Sequence, residues 1–126
     1  MTAPPAPPLP PASLDTAALE RLRMLDPDGR NGVIVRVLTA FEASLGRMLA
    51  QLAAQADPSD PAVVAGIAHT LKSSSASVGA LRLAAVCEEV ERRLRSGVAT
   101  AQRHDIRLLV AEGEAALSAV RAMLHP

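Results

Sequence analysis

Hydrophobic residues recur every three or four positions over most of the chain after residue 13, which is the spacing of one face of an α-helix. No segment shows the alternation of β-branched and polar residues that is typical of a strand. Residues that end helices divide the periodic region into five segments. The pattern therefore predicts an all-α fold made of a short first helix and four longer ones.

The boundaries of the first two helices follow from capping and stop signals. Asp15 is placed to cap the short first helix, and the sequence from Asp26 to Gly29 ends it. A second helix is expected from near Asn31 to just before Asp57, which a proline follows.

The last three helices are delimited in the same way. Asp60 supplies a cap and the next residue is a proline at the first helical position, so a third helix opens there. Gly79 can close it in a left-handed conformation. A fourth helix is predicted for Ala80–Ser96 and a fifth from about Ala101.

Each predicted helix has an apolar stripe, and the stripes of the four longer helices are expected to face inward. The members of the five stripes are Leu19, Leu22 and Leu25; Ile34, Leu38, Phe41, Leu45, Met48 and Leu52; Val64, Ile67, Leu71, Ser74 or Ser75, and Val78; Leu83, Cys87, Val90 and Leu94; and Ile106, Leu109, Val110, Leu117, Val120 and Leu124. Four helices of this length favour an antiparallel four-helix bundle with the short N-terminal helix as a cap.

Composition limits the domain count and the partners. A chain of 126 residues makes about one domain. Residues 1–12 are rich in proline and alanine, so we expect a disordered tail or linker there and the bundle over residues 13–126. The 13 basic and 13 acidic residues balance and aromatics make up 1%, so a nucleic-acid partner is not expected.

Cys87 is the only cysteine, which rules out an intramolecular disulfide and a cysteine-based zinc site within this chain. Its place on an apolar stripe favours a small buried hydrophobe over a redox thiol. A reducing, cytoplasmic setting fits best. The absence of a signal-peptide pattern and of a long uncharged apolar stretch argues against a membrane partner. His104 and His125 have no carboxylates or histidines at ligand spacing, so no metal is predicted. No cofactor is expected either.

His69 is the candidate for chemistry. At about 100° per residue it lies roughly 160° from both Ile67 and Leu71, so its imidazole is expected to face solvent. Its neighbours on that face, with the exception of Lys72, are small. They are Ala62, Ala65, Gly66, Lys72, Ser73 and Ala76. Exposed helical faces usually fill with long polar side chains, so this face indicates a docking surface that leaves the imidazole accessible.

Three charged residues complete the candidate site. Lys72 lies one turn after His69, where its amine can offset the charge of a phosphoryl group on the imidazole. The third and fourth helices form a hairpin about Gly79, which places Glu91 almost opposite His69. Glu91 can accept a hydrogen bond from one ring nitrogen and leave the other free as nucleophile. Arg95 can form a surface ion pair with Glu91, which would be the simpler role for both residues. Alternatively, Arg95 can add positive charge to the rim of the docking surface.

The segment AHTLKSSSASVGA, which runs from Ala68 to Ala80, resembles the signature of histidine-containing phosphotransfer (HPt) domains of bacterial two-component phosphorelays. Leu83, Cys87 and Glu91 continue the resemblance. It implies a four-helix bundle whose exposed histidine accepts phosphate from a receiver-domain aspartate and passes it to another, with the lysine assisting. Ser73 departs from the glycine that many members carry and slightly narrows the space beside the imidazole.

The resemblance implies receiver domains, and a hybrid sensor histidine kinase, as partners of a monomeric phosphate carrier. A stand-alone enzyme is not expected, because the chain has no glycine-rich phosphate loop and no nucleotide-binding α/β unit. The remaining alternative is a helical interaction or dimerisation module that uses the small-residue face for packing. The sequence leaves open the donor, the acceptor, the direction of transfer, and whether the domain is free-standing or part of a sensor kinase.

Overall fold

The structure, a computed structural model, describes residues 14–55, 59–97 and 102–126, and for residue 102 the backbone only. These residues form five α-helices and no strand, which confirms the all-α prediction. The helices are α1 (Thr16–Met24), α2 (Val33–Ala53), α3 (Pro61–Val78), α4 (Leu81–Arg95) and α5 (Gln102–Leu124). The tail predicted for residues 1–12 lies outside the described residues.

The four long helices surround one largely aliphatic core. α2 contacts α3, α3 contacts α4, α4 contacts α5, and α5 contacts α2 again, while α1 packs on α2 and α3. Phe41, Leu45, Leu71 and Val120 are among the fully or almost fully buried residues of this core. Between the two serines that the sequence left open, Ser75 is buried and Ser74 is half-buried. Burial of these apolar side chains is the main source of stability for helices of this length.

The predicted caps of α1 and α3 are confirmed. The carboxylate of Asp15 accepts a hydrogen bond from the backbone N–H of Ala18 at 3.1 Å, and that of Asp60 accepts from Ala62 at 2.9 Å. Gly79 ends α3 with a φ of 82°, in the left-handed region that favours glycine. Asp15 also donates its backbone N–H to the Gly79 carbonyl at 2.8 Å, which ties the start of α1 to the turn between α3 and α4.

The start of α2 differs from the prediction. The helix begins at Val33, and its N-cap, Gly32, provides no side-chain hydrogen bond. Asp26 takes over this role, because its carboxylate accepts from the backbone N–H groups of Asn31 and Val33, each at 3.2 Å. Burial acts to raise the pKa of Asp26, but these hydrogen bonds outweigh burial and lower it below its ordinary value.

The apolar face predicted for α1 is only partly buried. Leu19 is buried and Leu22 is half-buried, but Leu25 is 72% exposed. Leu25 is the C-cap residue of α1 and lies where the chain turns away towards α2. Helical spacing alone does not show how far along a short helix the contact with its neighbours extends.

A buried ion pair, which the sequence did not reveal, joins α4 to α5. Arg93 donates to the carboxylate of Asp105 at 2.6 Å, and Asp105 is fully buried. Arg93 also donates to Glu89 one turn earlier on α4, at 3.2 Å. The pair fixes how the two helices lie against each other, since a buried carboxylate needs a cationic partner.

Candidate functional site

His69 lies near the middle of α3 with its side chain 73% exposed. The buried residues Val64, Ile67 and Leu71 occupy the opposite side of the same helix. The imidazole therefore faces solvent because the apolar stripe of α3 anchors the other side of the helix in the core.

Glu91 on α4 lies against the imidazole. Its Oε2 is 3.2 Å from His69 Nδ1, and its side chain is only 12% exposed. Because a carboxylate can only accept, we assign the ring proton to Nδ1, which leaves the lone pair on Nε2. The turn at Gly79 places His69 and Glu91 opposite each other, so the structure brings together the two residues that the hairpin argument paired.

The other oxygen of Glu91 is surrounded by positive charge. Lys72 Nζ lies 3.4 Å from Oε1, and Arg95 Nη2 lies 2.9 Å from the same atom. Burial acts to raise the pKa of Glu91, but the hydrogen bonds from His69 and Lys72 and the charge of Lys72 outweigh it and keep the pKa below its ordinary value. Glu91 thus contacts the imidazole through one carboxylate oxygen and two cations through the other.

The small residues around His69 leave open space. Gly66, Ser73 and Ala76 are exposed, and Ala65 is half-buried. A Cβ added at Gly66 would have no atom within 4 Å outside its own helix neighbours. All the residues predicted for docking therefore lie on or beside the face of α3 that carries the imidazole, with Arg95 at its α4 edge.

A family model, that of the Hpt domain, matches residues 36–125, which is more than half of the chain. The chain belongs to the Hpt domain family. The match includes every residue of the candidate site and leaves out α1. Comparison with curated proteins and with solved structures gave no significant match.

Membership in the Hpt family gives the general function of this domain. Hpt domains take part in histidine phosphotransfer in phosphorelays, and they are phosphotransfer carriers rather than kinases. They interact with receiver domains and kinases of two-component systems.

Cys87 lies in the core of this Hpt domain, close to the charged cluster. It is fully buried, and burial together with the nearby negative charge of Glu91 raises the pKa of its thiol to about 12. A thiol with so high a pKa forms almost no thiolate near neutral pH, so the side chain acts as a small hydrophobe.

Residues 14–55, 59–97 and 102–126 contain no cluster of three or more histidine, cysteine or acidic side chains placed to bind a metal. His104 and His125 are both exposed. No helix within these ranges is long and apolar enough to cross a membrane.

Proposed function

We propose that this Hpt domain is a phosphorelay intermediate. It accepts a phosphoryl group on His69 from a receiver-domain aspartate, or from a kinase, and passes it to another receiver-domain aspartate. The observation that carries the proposal is the hydrogen bond of Glu91 to Nδ1, because it leaves Nε2 of an exposed imidazole free to attack phosphorus. The scaffold would be an antiparallel four-helix bundle formed by α2 to α5 and capped by α1.

The transfer step balances without a proton leaving the histidine. The Nε2 lone pair of His69 forms the N–P bond while the bond from phosphorus to the aspartyl oxygen breaks, and the aspartate leaves as a carboxylate. The imidazole retains its Nδ1 proton and becomes positively charged. Glu91 accepts a hydrogen bond from that proton, so its negative charge stabilises the phosphorylated ring. The reverse step returns the phosphoryl group to a second aspartate.

The receiver domain would supply the metal ion for phosphotransfer. Receiver aspartates act with a bound Mg²⁺, which would arrive with the partner, while this chain contributes the nucleophile and nearby positive charge.

Mixing the domain with phosphorylated receiver domains from the same genome and following the label tests the proposed function. Label should move to the domain in an acid-labile, alkali-stable form. A domain that binds receivers but never takes label would instead be an interaction module.

Lys72→Ala should slow phosphotransfer without abolishing it. The amine is a mobile cation, so its loss should raise the barrier by roughly 1–3 kcal/mol if it makes a charged hydrogen bond to the phosphoryl oxygens. Rapid-quench measurement of label transfer from one receiver gives the rate. Arg92→Ala is a matched control, because Arg92 is an exposed cation that pairs with Glu89 and not with Glu91. Equal rates for the two variants would contradict a role for Lys72.

Gly66→Gln should slow transfer by blocking the approach of the partner, while the fold is unaffected or more stable. A Cβ at this position meets no described atom within 4 Å beyond its own stretch of helix, and glycine in a helix interior is about 0.5–1 kcal/mol less favourable than alanine. Gly46→Gln on α2 is the control, since a Cβ there also meets nothing within 4 Å. If both variants transferred at the wild-type rate, the docking surface would have to lie elsewhere.

A further inference from the structure

The positive charge of the site lies on one side of His69. At about 100° per residue, Lys72 is turned about 60° from His69 towards α4, where Lys72 and Arg95 both donate to Glu91. Ser73 is turned about 40° from His69 in the opposite sense, away from α4. A phosphoryl group on the imidazole would therefore have two cations on one side and Ser73 on the other.

The Ser73 side chain is available to a ligand. The hydroxyls of its neighbours donate to carbonyls of their own helix, from Ser74 to Thr70 at 3.2 Å and from Ser77 to Ser73 at 3.0 Å. Ser73 is exposed, and its own hydroxyl has no hydrogen-bond partner among the residues that the structure describes. Ser73 is therefore the serine on the His69 face of α3 whose hydroxyl remains available to donate a hydrogen bond.

The position of Ser73 along the helix directs it towards the imidazole. Side chains on a helix lean towards its N-terminus, and residues four apart have Cβ atoms about 5–6 Å from each other. The other small neighbours, among them Ala65, Gly66 and Ala76, have no polar side-chain atom to offer. Thr70 has a hydroxyl, but adjacent residues on a helix do not face each other.

We propose that the Ser73 hydroxyl donates a hydrogen bond to the phosphoryl group on His69, on the side opposite Lys72. The proposal rests on the function proposed above, in which His69 carries the phosphoryl group. The phosphoryl dianion has three acceptor oxygens, and a donor on each side of the imidazole would bind two of them and limit rotation about the N–P bond. Serine at this position is then a phosphate contact as well as a small residue that permits docking.

Two variants separate a hydrogen-bonding role from a steric one. Ser73→Ala removes the hydroxyl and reduces the bulk, whereas Ser73→Thr keeps the hydroxyl and adds a methyl group. The measured quantity is the equilibrium constant for transfer between one receiver domain and the free Hpt domain. Docking changes the rates of that reaction in both directions but not its equilibrium constant, which depends only on the free proteins.

Loss of the hydrogen bond should lower this equilibrium constant roughly three- to tenfold in Ser73→Ala, the range expected for one hydrogen bond at an exposed site. Ser73→Thr should remain near the wild-type value. Ser77→Ala, which removes a hydroxyl already bonded to the helix backbone, should leave the constant unchanged. Isolated phosphorylated Ser73→Ala should also hydrolyse faster than the wild type, a difference that no docking defect would produce.

The outcomes distinguish the two proposals. An equilibrium constant for Ser73→Ala equal to that of the wild type overturns the role of Ser73, and so does an equal loss in Ser73→Thr and Ser73→Ala. Neither result affects the assignment of His69. If the wild-type domain takes no label from any receiver, the proposed function itself fails and the role of Ser73 fails with it.

Discussion

His69→Gln should abolish acid-labile phosphorylation of this domain by any phosphorylated receiver. The substitution removes the imidazole nitrogen that acts as the nucleophile in the proposed function, and an amide nitrogen cannot replace it as a phosphate acceptor. The fold should be retained, since the side chain is 73% exposed and substitutions of exposed residues usually change stability by about 0.5 kcal/mol or less. Label transfer followed by acid and alkali treatment measures the first effect, and thermal unfolding the second.

The other two histidines provide the controls for this variant. His104 and His125 are exposed residues on and just after α5, so His104→Gln and His125→Gln should label as the wild type does. Acid-labile phosphate retained by His69→Gln would show that the assignment is wrong. The same two variants would then identify the true acceptor.

Gly79→Ala should destabilise the fold by about 2–4 kcal/mol, well beyond the effect of its left-handed backbone alone. A non-glycine residue at φ 82° costs about 1–2 kcal/mol. The added Cβ would also lie 2.6 Å from the backbone nitrogen and 2.9 Å from the backbone oxygen of Asp15, neither of which can move like a flexible side chain. The substitution therefore forces the start of α1 away from the turn between α3 and α4.

Gly97→Ala is the matched control for the backbone contribution. Gly97 has nearly the same φ, 79°, but a Cβ there meets no atom of the described residues within 4 Å. Gly97→Ala should lower the free energy of unfolding by about 1–2 kcal/mol. Urea-induced unfolding, fitted to a two-state model, measures this change. Equal losses in the two variants would show that the contact between Gly79 and Asp15 does not hold α1 in place.

The helices and their ends were accessible from the sequence because the physics that sets them is local. A cap such as Asp60 acts on backbone groups two or three residues away, and a left-handed glycine such as Gly79 ends a helix by its own conformation. The exposure of His69 is equally local, since it follows from the angle between that residue and the apolar stripe of α3.

Three other features were not accessible in this way. Asp26 ends one helix in the sequence pattern, but in the structure it also caps α2 from outside the helix. The pair between Arg93 and Asp105 depends on how α4 and α5 lie together. Leu25 fits the apolar stripe of α1 but is 72% exposed.

In the candidate site, too, some relations follow from the sequence and others only from the tertiary structure. The sequence by itself determined which face carries His69, that small residues and Lys72 surround it, and that a turn at Gly79 places Glu91 opposite, because helix periodicity and one tight turn fix these relations. Only the tertiary structure decided that Lys72 and Arg95 converge on one oxygen of Glu91 while the other meets His69 Nδ1. Those contacts depend on the distance and rotation between α3 and α4, which packing of their buried faces sets.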